Sequence, residues 1–395
     1  MRYNFDEPFG TFCSDSIKWN FVKDFFGEED LLPMWIADMD FASPQPVIDA
    51  LRERAAQGIY GYTARPGSLY EAISGWMMRR HDWAVERDWI CYSPGVVTAL
   101  IACVQTFTSP GDGVIIQPPV YPPFAKLVEG NGRKVVANPL IHRNGRYEMD
   151  FADLEQKIKE TGARLLILCS PHNPVGRVWT RAELERLTEL CLAHGVLIVS
   201  DEIHADLVFP NHKHTPLAVV SEKAAASSII CMAPSKTFNI PGLSTSFIII
   251  PNPDLREAFD RTLQDAHQSM TNTFGIVASE SAYRHGDEWL SECLSYIRAN
   301  TDFAIAFFER NLPEIRTTNP EGTFLLWLDC RDLGMDPYSL AQFMIKEARV
   351  ALSSGSDFGK EGDGFLRMNL ACRRSTLEEG LRRIEKAVKV KISTI

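Results

Sequence analysis

The middle of the chain alternates between short apolar runs and one stretch with helical spacing. Arg164–Cys169 and Gly195–Ser200 are apolar runs of strand length, and Arg181–His194 between them has the periodicity of an amphipathic helix. Ser228–Met232 is a third apolar run. A strand, a helix and a strand in this order predict a parallel pair with a right-handed crossover. The pattern therefore predicts an α/β protein with a buried central sheet.

Further elements follow from the same reading on both sides of this region. Helices are predicted from Ser43 to Gln57, at 99–107 and 287–312, and around 339–349 and 377–388. Strands are predicted at 113–117, 245–250, 323–329 and 364–370.

Polar residues follow each of the three central runs where the strand ends. Asn173 comes after the first run, Asp201 after the second, and Lys236 after the third. Parallel strands bring their carboxyl ends to one edge of the sheet, which is where open α/β sheets bind ligands. We therefore expect an amide, a carboxylate and an amine to meet in one crevice.

This trio fits the chemistry of pyridoxal phosphate. A lysine close to an apolar interior favours the neutral amine, which suits a Schiff base with a carbonyl. The cofactor also needs an acid paired with its pyridine nitrogen. Asp201 can be that acid, and Asn173 can donate to the ring hydroxyl.

Each of these residues has an alternative interpretation on its own. Lys236 alone would be a surface loop lysine, and Asn173-Pro174 alone a plain turn. Asp201 alone would be about as well explained as a helix N-cap. Their coincidence on consecutive strands favours the cofactor.

Two further stretches suit the ends of such a ligand. Gly95, Val96 and Val97 form a glycine turn that leads into a helix, and the free N–H groups there favour a phosphate. The Ser235 hydroxyl can add to that site. Arg367 stands among apolar residues in a predicted strand, where its fork suits a substrate carboxylate and an internal salt bridge is the alternative.

Composition narrows the function classes. The 395 residues suggest two domains, and the net charge of −10 without a basic cluster makes nucleic acid an unexpected partner. No apolar run has spanning length and no leader pattern opens the chain, so we expect a cytoplasmic protein with no membrane contact. The nine scattered cysteines favour reduced thiols, and His212-Lys213-His214 lacks the companions of a metal site.

Three stretches resemble a known family. Ser170–Gly176, Ser200–His204 and Pro234–Gly242 are similar to the signature blocks of the fold-type I, class I/II aminotransferase superfamily, in order and spacing. Within this superfamily, the chain resembles the cystathionine β-lyase branch in particular. The pieces that carry this narrower likeness are Gly10-Thr11, Lys18-Trp19, Leu32–Phe41, and His204 where most aminotransferases have tyrosine.

The resemblance implies the aspartate aminotransferase-like fold, with a mostly parallel central sheet flanked by helices and a smaller α+β domain. It places a large cofactor-binding domain at 46–286 and a small domain at 1–45 and 287–395. It also implies a homodimer with shared active sites.

Several site roles rest on the resemblance. Tyr121 would stack on the cofactor ring, and Arg367 would bind the substrate α-carboxylate. Tyr62 would reach the cofactor phosphate of the neighbouring subunit. His204 would contact the cofactor, and Ala37, in the turn of Met34–Asp40, would approach the substrate.

The chain departs from the wider superfamily after Pro241. Aminotransferases usually have Gly-Trp-Arg there, and this chain has Gly242-Leu243-Ser244. A phosphate-binding arginine is therefore missing, and Ser244 or Thr245 can supply a hydroxyl in its place. This loss favours a lyase over a transaminase.

The expected activity is β-elimination on cystathionine or related cysteine S-conjugates, giving a thiol such as homocysteine, pyruvate and ammonia. Lys236, Asp201 and Tyr121 are the expected catalytic residues. An aminotransferase acting on a small amino acid is one alternative. A regulatory protein that binds a partner is an alternative of another class.

Overall fold

A computed structural model describes residues 3–7, 15–143 and 145–393. Gly10 and Thr11, part of the resemblance to the lyase branch, lie outside the described residues. The strands are β1 Leu32–Pro33, β2 Ile90–Ser93, β3 Gly113–Ile116, β4 Lys134–Ala137, β5 Ile141–Arg143, β6 Arg146–Glu148, β7 Leu165–Cys169, β8 Leu197–Asp201, β9 Ser228–Met232, β10 Ser246–Ile249, β11 Arg316–Thr317, β12 Leu325–Asp329, β13 Val350–Ala351, β14 Ser353–Ser354 and β15 Phe365–Asn369.

The α-helices come between and around these strands. They are α1 Ile17–Asn20, α2 Val22–Phe26, α3 Gln45–Ala56, α4 Gly67–His81, α5 Val96–Phe107, α6 Pro123–Gly130, α7 Phe151–Thr161, α8 Arg181–Ala193, α9 Glu222–Ala226, α10 Pro234–Thr237, α11 Pro253–Asp265, α12 Thr273–His285, α13 Asp287–Asn311, α14 Pro337–Lys346 and α15 Arg374–Ser393.

The large sheet has the order β2-β10-β9-β8-β7-β3-β4. Its strands are parallel except β10, which runs antiparallel to both of its neighbours. Every residue of β7 and β9 is buried, as expected for central strands that are covered by helices on both faces. The predicted α/β fold with a mostly parallel central sheet is confirmed.

The helix between β7 and β8 begins where its sequence predicts. Thr180 caps α8 and forms a capping box with Glu183, which satisfies free N–H groups at the first turn. This crossover places the carboxyl ends of β7 and β8 side by side, with Cys169 in register with Asp201.

A second, antiparallel sheet has the order β11-β12-β15-β14 and packs against its own apolar cluster. The N-terminal segment joins this part of the chain, because β1 pairs with β13 and the Asp40 N–H donates to the Ala371 carbonyl. The division into domains at 46–286 and at 1–45 with 287–395 stays a prediction.

None of the helices in the described part of the chain combines the length and apolar character needed to cross a bilayer. The cytoplasmic location remains a prediction from the sequence.

Candidate active site

A cavity of about 690 Å3 opens at the carboxyl ends of the central strands. It brings together almost all of the residues predicted for the site. Those that line it are Ala37, Gly95, Val96, Val97, Tyr121, Asn173, Asp201, His204, Ser235, Lys236 and Arg367, with Ser244 and Thr245. Tyr62 does not line it and is 95% exposed.

Lys236 lies in a single helical turn, α10, that follows β9 directly. The sequence predicts a loop there. Pro234 is the first residue of the helical turn, and proline is favoured at the first position of a helix. Lys236 Nζ donates a hydrogen bond of 2.6 Å to the Ala37 carbonyl. Burial lowers the pKa of Lys236 to about 8, although the nearby Asp38 and Asp201 oppose this shift. A substantial fraction of the amine is therefore neutral in mildly alkaline water.

Asp201 is the last residue of β8 rather than the first residue after it. No helix in the described chain begins there, so the N-cap alternative is wrong. Its Oδ1 instead accepts from the Ile203 N–H at 3.2 Å, in a turn. Burial raises the pKa of Asp201 to about 7, against the effects of that N–H and of Lys236. A cationic partner in the cavity would restore the carboxylate.

Arg367 stands in β15 and points its guanidinium to the same cavity. It donates to Asn173 Oδ1 at 3.0 Å, to the Trp35 carbonyl at 2.8 Å and to Ser353 Oγ at 3.2 Å. Among the described residues these partners are all neutral oxygens, so the alternative of an internal salt bridge finds no support. Burial lowers the pKa of Arg367 to about 10. A buried cation without a carboxylate partner is suited to bind an anionic ligand.

Asn173 is buried beside this arginine, and its side-chain oxygen accepts from it. Because its oxygen accepts from Arg367, Asn173 has its amide nitrogen left as the donor to a ligand hydroxyl, and that role stays a prediction. His204 is also buried, and burial together with Lys236 and Arg367 lowers its pKa to about 3, so the ring is neutral. The Nδ1 of His204 has no hydrogen-bond partner within the described chain.

The opposite end of the cavity has the donors of an anion site. Gly95 precedes α5, which begins at Val96, so free N–H groups and the positive end of the helix dipole face the cavity there. Ser235 and Thr245 add hydroxyl groups nearby. Ser244 occupies the position at which the wider superfamily has arginine. Its φ is 44°, in the left-handed region.

Tyr121 forms one wall of the cavity and packs edge-on against Phe124, with ring centroids 5.8 Å apart. Burial and the neighbouring Asp201 raise its pKa, so the phenol stays neutral. A neutral aromatic wall is suited to stack on a planar ring.

Sequence reasoning missed other residues of the site. Trp35, Ser353 and Phe358 line the cavity, and the Phe358 ring lies 4.9 Å from the Arg367 guanidinium carbon. Trp35 belongs to the Leu32–Phe41 block of the family resemblance, and this membership could have marked it as a residue of the site. Nothing in the local pattern marks Ser353 or Phe358. The pairing of β14 with β15 places Ser353 beside Arg367, and a short 3-10 helix after β14 carries Phe358.

Most of the chain is similar to proteins of a known family. The family model for aminotransferase class I and II matches residues 29–384. This chain belongs to that family. A relative described as cystathionine beta-lyase PatB, from Bacillus subtilis, is 47% identical over 385 residues, which are 98% of this chain and 100% of that protein. Protein MalY of Escherichia coli is 34% identical, with 96% of each chain covered.

Solved structures of the family superpose closely on this fold. Cystalysin from Treponema denticola, described as containing a pyridoxal 5'-phosphate cofactor, has a TM-score of 0.95 and 39% identity over 99% of this chain and 100% of its own. A pyridoxal-phosphate-bound C–S lyase from Staphylococcus hominis has a TM-score of 0.90 and 33% identity, over 98% and 99%. The resemblance predicted from the sequence is confirmed.

Proposed function

We propose that this protein is a pyridoxal-phosphate-dependent carbon–sulfur lyase of the cystathionine β-lyase type. The observation that carries the proposal is the convergence of Lys236, Asp201 and Arg367 on one cavity, in a chain similar over its full length to a cystathionine β-lyase. The substrates are cystathionine and related cysteine S-conjugates. Together with one water, cystathionine gives homocysteine, pyruvate and ammonia.

The residues present fit the cofactor. The cavity offers an amine, an acid, a neutral aromatic wall and, at Gly95–Val97 and Ser235, phosphate donors. Buried polar atoms without a partner in the described chain, His204 Nδ1 and Arg367 Nε, also indicate that the cavity is completed by a polar ligand. Bound there, pyridoxal phosphate supplies an electron sink for the bonds at the substrate's Cα.

Each residue then has a defined task. Lys236 would hold the cofactor covalently, and as a free neutral amine it would accept the Cα proton of the substrate. Asp201 would pair with the ring nitrogen, and Asn173 would donate to the ring hydroxyl. Tyr121 would provide an aromatic surface for the ring, and the neutral His204 would contact the cofactor without adding charge. Arg367 binds the substrate carboxylate and so orients Cα toward Lys236.

Elimination is favoured over transamination by the sequence of the phosphate site and by the relatives. Ser244 stands where the wider superfamily has arginine, and the relatives from Bacillus subtilis and Staphylococcus hominis are lyases by description. One experiment tests the assignment. Purified protein is incubated with cystathionine alone, and pyruvate and free thiol are measured. A requirement for a 2-oxo acid, with a new amino acid as the product, would show a transaminase instead. No turnover of either kind would favour the regulatory alternative.

We also propose a two-fold homodimer in which Tyr62 completes the partner's phosphate site. The support is an exposed stretch of large side chains, in which Ile59 is 76%, Tyr60 59% and Tyr62 95% exposed. A run of this kind on a folded protein is typical of a surface that a partner covers. Tyr62 would then act from outside its own chain.

A further inference from the structure

One segment that lines the active site is held by hydrogen bonds and ion pairs from side chains in other parts of the chain. We call residues 35–41 the strap. The strap carries Ala37, whose carbonyl accepts from Lys236 Nζ at 2.6 Å, and Trp35, whose carbonyl accepts from Arg367 at 2.8 Å. Two residues proposed for the chemistry therefore depend on where the strap lies.

Two asparagines hold the backbone of the strap. Asn369 Nδ2 donates to the Ile36 and Asp38 carbonyls, each at 2.6 Å. Asn239 Nδ2 donates to the carbonyls of Met39 at 2.9 Å and Phe41 at 2.7 Å, and its Oδ1 accepts from the Met39 N–H. These bonds fix the path of the backbone, and they leave the strap carboxylates to be held by another group.

That group is the ammonium of Lys18, which is only 1% exposed. Lys18 Nζ lies 2.9 Å from Asp40 Oδ1 and 3.3 Å from Asp38 Oδ1, and it donates to the Asp38 carbonyl at 3.2 Å. Trp19 Nε1 donates to the same Asp40 oxygen at 2.9 Å. Burial alone would lower the pKa of Lys18, but Asp40 and Asp38 together raise it, so the ammonium stays charged.

We propose that Lys18 is a positioning residue for Lys236, and that its buried ammonium fixes Asp38 and Asp40 so that the strap is held against the catalytic amine. The proposal rests on the proposed function only in taking Lys236 as the lysine that holds the cofactor. Lys18 itself does not touch the cavity, so its influence passes through the strap.

The charges around Lys236 let this proposal predict the direction in which the pKa of Lys236 changes when Lys18 is replaced. A purely structural role for Lys18 predicts no such direction. Besides burial, Asp38 from the strap and Asp201 from β8 raise the pKa of Lys236, whereas Arg367 from β15 and Lys18 from α1 lower it. Removing the charge of Lys18 without moving the strap would therefore raise the pKa of Lys236. Releasing Asp38 would lower it. These two effects change the pKa of Lys236 in opposite directions, so one variant that removes the charge of Lys18 distinguishes them.

The measurement uses the cofactor-free protein and not turnover. Pyridoxal phosphate is added at a series of pH values, the bond is reduced with borohydride, and the label on the Lys236 peptide is quantified by mass spectrometry. The initial rate rises with pH as the amine loses its proton, and the pH of half-maximal rate is the midpoint. Other titrating groups are common to all variants compared.

We expect Lys18→Met to lower the midpoint by about one pH unit, because release of Asp38 would take one nearby opposite charge away from Lys236. Asp38→Asn should lower it similarly, and the double variant should be no lower than Asp38→Asn alone. Lys23→Met is the matched control, because Lys23 belongs to the next helix and its ion pair with Glu29 is exposed. It should leave the midpoint unchanged.

Asp40→Asn covers the case in which Lys18→Met does not fold. Asp40 is not among the main charges that shift the pKa of Lys236, so we attribute a midpoint lowered as far as in Asp38→Asn to the anchor. A raised or unchanged midpoint in Lys18→Met, or unchanged midpoints in Asp38→Asn and Asp40→Asn, would overturn the proposal. Absence of label on Lys236 in the unaltered protein would instead refute the proposed function.

Discussion

Replacing Arg367 with alanine removes the buried cation that we assign to the substrate carboxylate. The structure indicates the size of the effect, because this guanidinium is 6% exposed and its partners in the described chain are neutral. Loss of one partner from a buried charge pair costs about 2–5 kcal/mol. At about 1.4 kcal/mol for each factor of ten, kcat/KM for cystathionine should fall roughly 30- to 4000-fold.

The assay compares substrates as well as variants. Arg367→Ala should still form the reducible bond to the cofactor at Lys236, since this residue is assigned to the substrate, although loss of its charge should raise the midpoint of labelling. Arg367→Lys keeps the charge but loses the fork, so it should recover part of the loss. An analogue that lacks the α-carboxylate should react equally poorly with the unaltered protein and with Arg367→Ala.

Two results would refute this reasoning. An equal loss of kcat/KM for the analogue and for the complete substrate would mean that the arginine does not act on the carboxylate. A protein that simply unfolds would assign Arg367 to the support of Trp35, Asn173 and Ser353, whose oxygens would lose a donor at about 1–3 kcal/mol each. Thermal unfolding of both variants distinguishes these cases.

Three further predictions concern the cofactor and the assembly. Lys236→Ala should abolish turnover and leave no reducible bond to pyridoxal phosphate, and a label on another lysine would contradict the assignment. Asp201→Asn should retain the cofactor but slow exchange of the Cα proton with solvent, measured by deuterium uptake, because a neutral amide does not stabilise the protonated ring nitrogen. Hybrid dimers of Lys236→Ala with Tyr62→Phe should regain activity, since one of the two sites then carries neither substitution. Confirmed heterodimers without recovery would refute the shared site.

The central strands were predictable because their signal is local. β7 and β9 are short apolar runs that are followed by polar residues, and the parallel order of β7 and β8 follows from the helix between them. This local pattern was enough to bring Asn173, Asp201 and Lys236 to one cavity. The antiparallel direction of β10 was not predictable in this way, because an apolar run has no direction of its own.

The contacts from distant parts of the chain could not be predicted. Ser353 and Trp35 meet Arg367 only because the second sheet and the N-terminal segment pack together. The pair Lys18-Trp19 was noticed as part of a family likeness, but the sequence offered no physical reason for a buried lysine there. Asp40, the partner of both residues, supplies that reason only in the folded chain.

The strap explains how one cavity can contain both a buried cation and a reactive amine. Burial favours the neutral form of Lys236, and Arg367 strengthens that preference by like-charge repulsion. Without an opposing charge, the pKa of Lys236 would fall further, and the amine would be a weaker base toward the Cα proton. Asp38 provides the opposing charge, yet burial raises the pKa of Asp38 itself. Lys18 lowers the pKa of Asp38 and so favours its carboxylate form. In our proposal this indirect effect outweighs the direct like-charge repulsion of Lys18, so that a lysine outside the cavity supports the basicity of the lysine inside it.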